Sequence, residues 1–164
     1  MLALRRTLPT VSRRVSRCMS TAEASDGSMT LNFSLPHETI YSEAKVSQVI
    51  VPGAAGEYGI TADHVPIVAQ LKPGVLQIMH EGGDPEKYFV AGGFSLTHEN
   101  SVTDISCPEA VKLDDIDPTA ISSNYEAAKS AFSSAEAGSI AAAEAQIDIE
   151  VNRAMGAAIG LSLS

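Results

Sequence analysis

Side chains able to do chemistry are spread thinly through this chain of 164 residues. His37, His64, His80 and His98 each stand alone, outside any HxxxH or CxxC arrangement, so their spacing builds no metal site. Gly53, Gly56 and Gly59 invite comparison with a phosphate cradle, which needs GxGxxG or a Gly-Lys-Ser/Thr ending between strand and helix. Neither pattern is present, and the glycines read as turn residues. Asp114, Asp115 and Asp117 resemble the start of a calcium loop but lack the glycine at its sixth position, counted from Asp115. Nothing around Cys107 activates a thiol, so it is expected to be a small buried hydrophobe in a reducing compartment. No Ser-His-Asp set and no pair of isolated acids in apolar surroundings stands out. The expectation is a chain with no catalytic, cofactor-binding or metal-binding residues, whose work is done by its surfaces.

The elements that would shape those surfaces are legible from periodicity and turn chemistry. Residues 29–35, MTLNFSL, alternate with Leu31, Phe33 and Leu35 on one face, as a half-buried strand should, and Pro36 ends the run. Residues 39–51 form a longer strand or a pair of strands, expected to stop at Pro52 and Gly53 because proline cannot donate to a ladder. Turns follow at residues 63–66, 72–74, 82–85, 91–93 and 99–100, with short apolar runs between them, and residues 110–113 make a final edge strand. Short strands with a turn every eight to twelve residues point to an antiparallel sandwich or barrel.

At Asp114 the composition changes. Three aspartates ahead of Pro118 suit the positive start of a helix, and proline fits a first turn that needs no N–H. Ile121, Tyr125, Ala128, Phe132 and Ala135 form one stripe at helical spacing. Gly138 and Ser139 break and recap the helix, and Ile140, Ala143, Ile147, Val151, Ala154 and Ala158 form a second stripe that ends before Gly160. Two helices joined so briefly must double back, and most of their stability comes from packing.

The run VPGAAGEYGITADHVPIVAQLKPGVL, residues 51–76, resembles the signature of the small rotor subunit of F-type ATP synthases, called delta in mitochondria and epsilon in bacteria and chloroplasts. KYFVAGGFSLTHENSVTDI is similar to the next two hairpins of that family, and AEAQIDIEVNRAM to the last helix of its mitochondrial form. The resemblance covers about residues 29–160 in the family's order. It implies a β-sandwich of about ten antiparallel strands over residues 29–113, followed by a C-terminal α-helical hairpin over residues 114–160.

The implied role is a non-catalytic central-stalk subunit that couples proton-driven c-ring rotation to ATP synthesis through the gamma subunit. By the same resemblance Gly53, Gly56, Glu57 and Tyr58 face the c-ring, and Asp63, His64 and Pro66 face gamma, as does part of one sheet face. The hairpin would receive the small mitochondrial epsilon subunit. His64 has two readings, as a residue that orders its own turn or as a partner contact. Bacterial epsilon subunits carry Ile-Asp-x-x-Arg-Ala at the first helix, associated with ATP binding. Here the matching place reads Ile116-Asp117-Pro118-Thr119-Ala120, without the arginine, which argues against an ATP-responsive regulator. The remaining alternative, a stand-alone β-sandwich binding module, has few aromatics to use, with no Trp, four Tyr and four Phe.

Residues 1–20 carry five arginines among Ser and Thr, no acid and no continuous apolar core, the composition of an organelle transit peptide. The resemblance favours the mitochondrion, with cleavage between about Arg17 and Asp26, and residues 21–28 read as a flexible linker. The whole chain has a formal net charge of −9. Loss of residues 1–20 leaves six basic residues against twenty acidic ones, a net charge of −14. Such a surface repels phosphate backbones and anionic lipid and favours a protein partner. No apolar run reaches the roughly 18 residues needed to span a bilayer. The expected place is the matrix side of the mitochondrial inner membrane, held there only through the complex.

Overall fold

The computed structural model describes residues 27–163, so the transit-peptide reading and most of the linker lie outside the described residues. Ten strands come first: β1 (Met29–Ser34), β2 (Thr39–Val46), β3 (Gln48–Gly53), β4 (Gly56–Thr61), β5 (Ile67–Leu71), β6 (Gly74–Met79), β7 (Glu86–Val90), β8 (Gly93–Thr97), β9 (Val102–Ser106) and β10 (Ala110–Lys112). A 3-10 turn, Leu113–Asp115, leads to α1 (Pro118–Ser134) and α2 (Ile140–Ala158). The strands run in the order β10-β7-β6-β3-β5-β8-β9-β1-β2, with β4 paired to β3 alone. This is the ten-strand sandwich with a helical hairpin that the sequence implies. Its pairings are antiparallel except that β1 lies parallel to β9.

Burial in β1 alternates as the sequence requires, with Met29, Leu31 and Phe33 inside. They meet Val49, Val51, Ile60, Leu76, Ile78 and Val90 in one apolar core, each such side chain contributing about 1.5–3 kcal/mol when fully buried. The Phe33 and Tyr88 rings meet edge to face at 5.7 Å. Residues 39–51 divide at Ser47, whose N–H and hydroxyl both donate to the Met79 carbonyl at 2.8 Å. Cys107 is buried, and burial pushes its thiol up to about 11, consistent with a packing role.

One boundary differs from expectation. β3 does not stop at Pro52 but runs through Gly53, pairing Pro52 with Glu57 and Gly53 with Gly56. Ala54 N–H donates to the Gln70 carbonyl and Lys72 N–H to the Pro52 carbonyl, so the polar groups of Pro52 point toward β5 and those of Gly53 toward β4. Proline therefore sits where the β3–β4 ladder needs no donor from it.

The helix starts also refine the sequence reading. Asp117 alone caps α1, accepting from Thr119 N–H at 2.9 Å, with Pro118 in the first turn. Bonds from the Thr119 side chain and backbone hold the Asp117 carboxyl below its ordinary range. Asp114 and Asp115 lie one turn earlier in the 3-10 segment and do not cap the helix. Ser139 caps α2 by accepting from Ala142 N–H at 3.1 Å, after Gly138 turns the chain at φ 82°.

α1 buries Ile121, Tyr125 and Ala128, but Phe132 further along the expected stripe is 46 % exposed. α2 is rotated away from its expected stripe: Ala145 and Gly156 are buried, whereas Ile140 and Ile147 are 80 % and 59 % exposed. Small residues let α1 and α2 come close, with Ala145 buried, whereas Gly156 packs under Leu161 and Leu163 just beyond the helix end, and Ile140 and Ile147 turn outward. Arg153 also donates to the Tyr125 hydroxyl at 3.2 Å, tying the helices together.

Candidate interaction surface

The β3–β4 hairpin projects a two-residue tip, Ala54-Ala55, followed by Gly56 at φ 142° and the exposed Glu57. A Cβ on Gly53 would lie 2.8 Å from the Gly56 carbonyl oxygen and 3.0 Å from the Tyr58 ring, so only glycine lets the hairpin close this tightly. Tyr58 points the other way from Glu57. Its hydroxyl bonds the buried Ser95 Oγ at 2.8 Å and its ring packs on the core, so it anchors the hairpin from below. Of the four residues expected at this end, Glu57 is the one whose side chain is displayed.

The other expected group lies at the far end of β4, about 20 Å along a strand of this length. Asp63 adopts φ 57° and Ser101 φ 58°, and they hold each other: Asp63 N–H donates to Ser101 Oγ at 2.9 Å, and that hydroxyl donates to Asp63 Oδ1 at 3.2 Å. His64 closes its own turn, with its N–H on the Thr61 carbonyl at 3.3 Å and Nδ1 2.8 Å from the Val65 carbonyl. This favours the turn-ordering reading of His64. The clasp presents Val65, 69 % exposed, and Pro66 to solvent.

Between the two ends lies a patch that the sequence reading did not single out by residue. Register pairs Val68 with Leu96 and Gln70 with Phe94, so these side chains share one outer face, while Ser95 and Thr97 are buried on the inner one. Val68 is 70 % exposed and Phe94 60 %, with Leu96 beside them. A contiguous apolar patch on a sheet face marks an interaction site more strongly than scattered exposed leucines do. The signal in the sequence was Ile67-Val68, two adjacent β-branched residues that a one-sided strand does not need.

Asp104 borders this face. It accepts from Asn32 Nδ2 at 2.7 Å, and His98 Nε2 lies 2.8 Å from its other oxygen. Partial burial works against its charge, but the bonds from Asn32 and His98 outweigh it and hold the carboxyl below its ordinary range. Glu86, bonded first by Tyr41 and then by Tyr88, is also held low despite some burial. A carboxyl depressed by folding adds stability above its unfolded pKa near about 4, and that stability is lost as pH falls through the folded value. The fold should therefore lose stability below about pH 4, and Asp104→Asn should flatten that acid limb in thermal melts recorded from pH 6 to pH 3. An acid limb identical to the parent's would refute the assignment.

An open cleft of about 390 Å³ lies between the helices, lined by Asn124, Ala127, Ala128, Ala131, Asp148 and Asn152. Its lining offers an aspartate and no cation to a phosphate. No cluster of metal-ligating side chains occurs among the described residues, and none of their helices is long and apolar enough to cross a membrane.

Residues 28–112 match the family model described as the ATP synthase, Delta/Epsilon chain, beta-sandwich domain. The chain belongs to the ATP synthase delta/epsilon family. Among delta/epsilon relatives, the mitochondrial ATP synthase subunit delta of Yarrowia lipolytica is 41 % identical over 87 % of this chain and 86 % of its own. That of Kluyveromyces lactis is 43 % identical over 84 % and 85 %. A chain in the Euglena gracilis mitochondrial ATP synthase, OSCP/F1/c-ring in rotational state 1, superposes with a TM-score of 0.76 at 25 % identity, covering 96 % of this chain and 99 % of that one. A chain of the Tetrahymena thermophila mitochondrial ATP synthase central stalk/c-ring has the same fold as this chain, at a TM-score of 0.56 and 14 % identity, over 80 % of this chain and 96 % of its own.

Proposed function

We propose that this chain is a stiff, non-catalytic wedge of the mitochondrial ATP synthase central stalk, gripped between the gamma subunit and the c-ring. The delta/epsilon chain is mitochondrial and peripheral, part of the rotor that couples proton-driven rotation to ATP synthesis. In the finer placement the hairpin tip, with Gly53, Gly56 and Glu57 above the Tyr58 anchor, faces the polar loops of the c-ring. The clasped loop with Asp63, His64 and Pro66, together with Val68, Phe94 and Leu96, faces gamma. The exposed Phe132, Ile140 and Ile147 of the helical hairpin receive the small epsilon subunit on the matrix side.

One observation carries the reading: two constrained loops at opposite ends of β4 flank an exposed apolar face, all on a close-packed sandwich. Packed interiors transmit strain, which is what a torque-bearing spacer needs. An ATP-responsive role finds no support in the helix start, where the Asp117 carboxylate is occupied by Thr119.

Glu57→Lys tests the placement at the tip. Reversing one exposed charge at an interface rim should weaken the contact by about 1 kcal/mol, roughly fivefold, with no change in folding. Mitochondria carrying it should show slower ATP synthesis for the same proton flow. Unchanged coupling and unchanged assembly would rule out the c-ring placement of Glu57.

A further inference from the structure

Among the described residues three strands have a strand partner on one side only, and two of these edges are blunted. β2 closes one end with register irregularities against β1, and its Glu43 sits at φ 51° with its N–H donated to the Asn32 side chain at 2.7 Å. β10 closes the other end with only three residues before the 3-10 turn. The third edge belongs to β4, which pairs with β3 on one side and with no other strand among the described residues. It has no bulge, no proline and no lysine.

The polar groups on that edge follow from register. Because Gly53 points its N–H and carbonyl at β4, its partner Gly56 points back at β3, and the direction alternates from there. Tyr58 and Ile60 therefore face β3, while Glu57, Gly59 and Thr61 direct their N–H and carbonyl groups outward. All three are exposed. The Thr61 carbonyl accepts from His64 N–H, and no other backbone bond from the described residues reaches the outward groups. At the centre of this row Gly59 carries no side chain of its own, and the Gln48 amide covers it on one face of the sheet, leaving its outward N–H and carbonyl in the plane of the edge.

We infer that the outward edge of β4 docks an extended segment of a protein partner, which adds a strand to the sheet beside Glu57 and Gly59. The chemistry of the row, donor and acceptor repeating every second residue, is matched by another strand. Glu57, which makes no ion pair among the described residues, calls for a lysine or arginine opposite it on that strand. A second copy of this chain is a poor occupant, since each carries a formal net charge of −9 and would repel the other. The inference rests on the stalk reading in one respect, that the partner strand lies in the same assembly.

Amide hydrogen exchange, resolved residue by residue in the full chain free and within purified ATP synthase, tests it. In the free chain Tyr58 and Ile60 should be protected and Glu57, Gly59 and Thr61 should exchange fast. In the assembled enzyme the three outward amides should slow by about 100-fold or more, completing the ladder. Equal exchange of those amides in both states overturns the inference while leaving the stalk reading intact. Slowing that appears in the free chain as its concentration is raised would replace the partner strand with a second copy. Absence of the chain from the purified enzyme would instead overturn the stalk reading, and the partner strand with it.

Discussion

Gly93→Ala should destabilise the chain by about 2–6 kcal/mol, a large part of the roughly 5–15 kcal/mol that holds a domain folded. Gly93 opens β8 at φ 138°, where an L side chain is strained by about 1–3 kcal/mol. A Cβ there would also press into the Ser106 carbonyl oxygen and come within 3.0 Å of both Cα and Sγ of Cys107. The nearest obstacles are backbone, which cannot rotate aside, so overpacking adds about 1–3 kcal/mol. Gly93 is unforgiving because β7 and β8 are consecutive in the chain but not neighbours in the sheet. β7 lies between β6 and β10, and β8 between β5 and β9. The chain passes from one set of partners to the other at Gly92 and Gly93, against the edge of β9.

Gly92→Ala is the matching control. At φ 139° it carries the same backbone strain, but its Cβ would find only the Leu71 carbonyl oxygen at 3.5 Å, an ordinary contact. It should cost only the strain, about 1–3 kcal/mol. Urea midpoints of the two variants measure the difference. A Gly93→Ala chain within 1 kcal/mol of the parent would show that the corner can relax and that the close approach to Ser106 is unimportant.

What the sequence made legible was governed by local chemistry. The alternation of β1, the turns at residues 82–85 and 99–100, and the cap Ser139 depend on a few neighbouring residues, and they appear where the residue types place them. What stayed hidden depended on partners distant in sequence. Pro52 continues its strand because β4 asks nothing of its nitrogen, a fact set by register with Glu57. Tyr58 turns inward because Ser95, 37 residues later, offers its hydroxyl a bond. The α2 stripe had two solutions, since alanine and isoleucine both count as apolar in periodicity. Only the approach of α1 selects the smaller residues and leaves Ile140 and Ile147 in solvent. The outer patch was hidden for a related reason: Val68 and Phe94 lie 26 positions apart and become neighbours through the pairing of β5 with β8.

That same pairing sets up Phe94→Asp, which should separate assembly from folding. Phe94 is 60 % exposed, so the isolated chain loses little packing and its stability should stay within about 0.5 kcal/mol of the parent. In a complex that covers Val68, Phe94 and Leu96, the aromatic ring is the largest apolar anchor on the face, and truncating such an anchor costs about 2–4 kcal/mol of binding. The aspartate adds an unpaired buried charge beside the existing carboxylate of Asp104, whose strand neighbours β8. Affinity for the rest of the stalk should fall by roughly 30-fold to 1,000-fold. In mitochondria that supply only the variant, native gels should show the chain unassembled, while its melting curve in isolation matches the parent's. Gln70→Asp, at the cross-strand partner of Phe94 on the same face, introduces the charge without removing the anchor and should weaken assembly less. Normal incorporation of Phe94→Asp would mean that this face remains in water in the working enzyme, and the grip on the wedge would have to be sought on the loops and the helical hairpin instead.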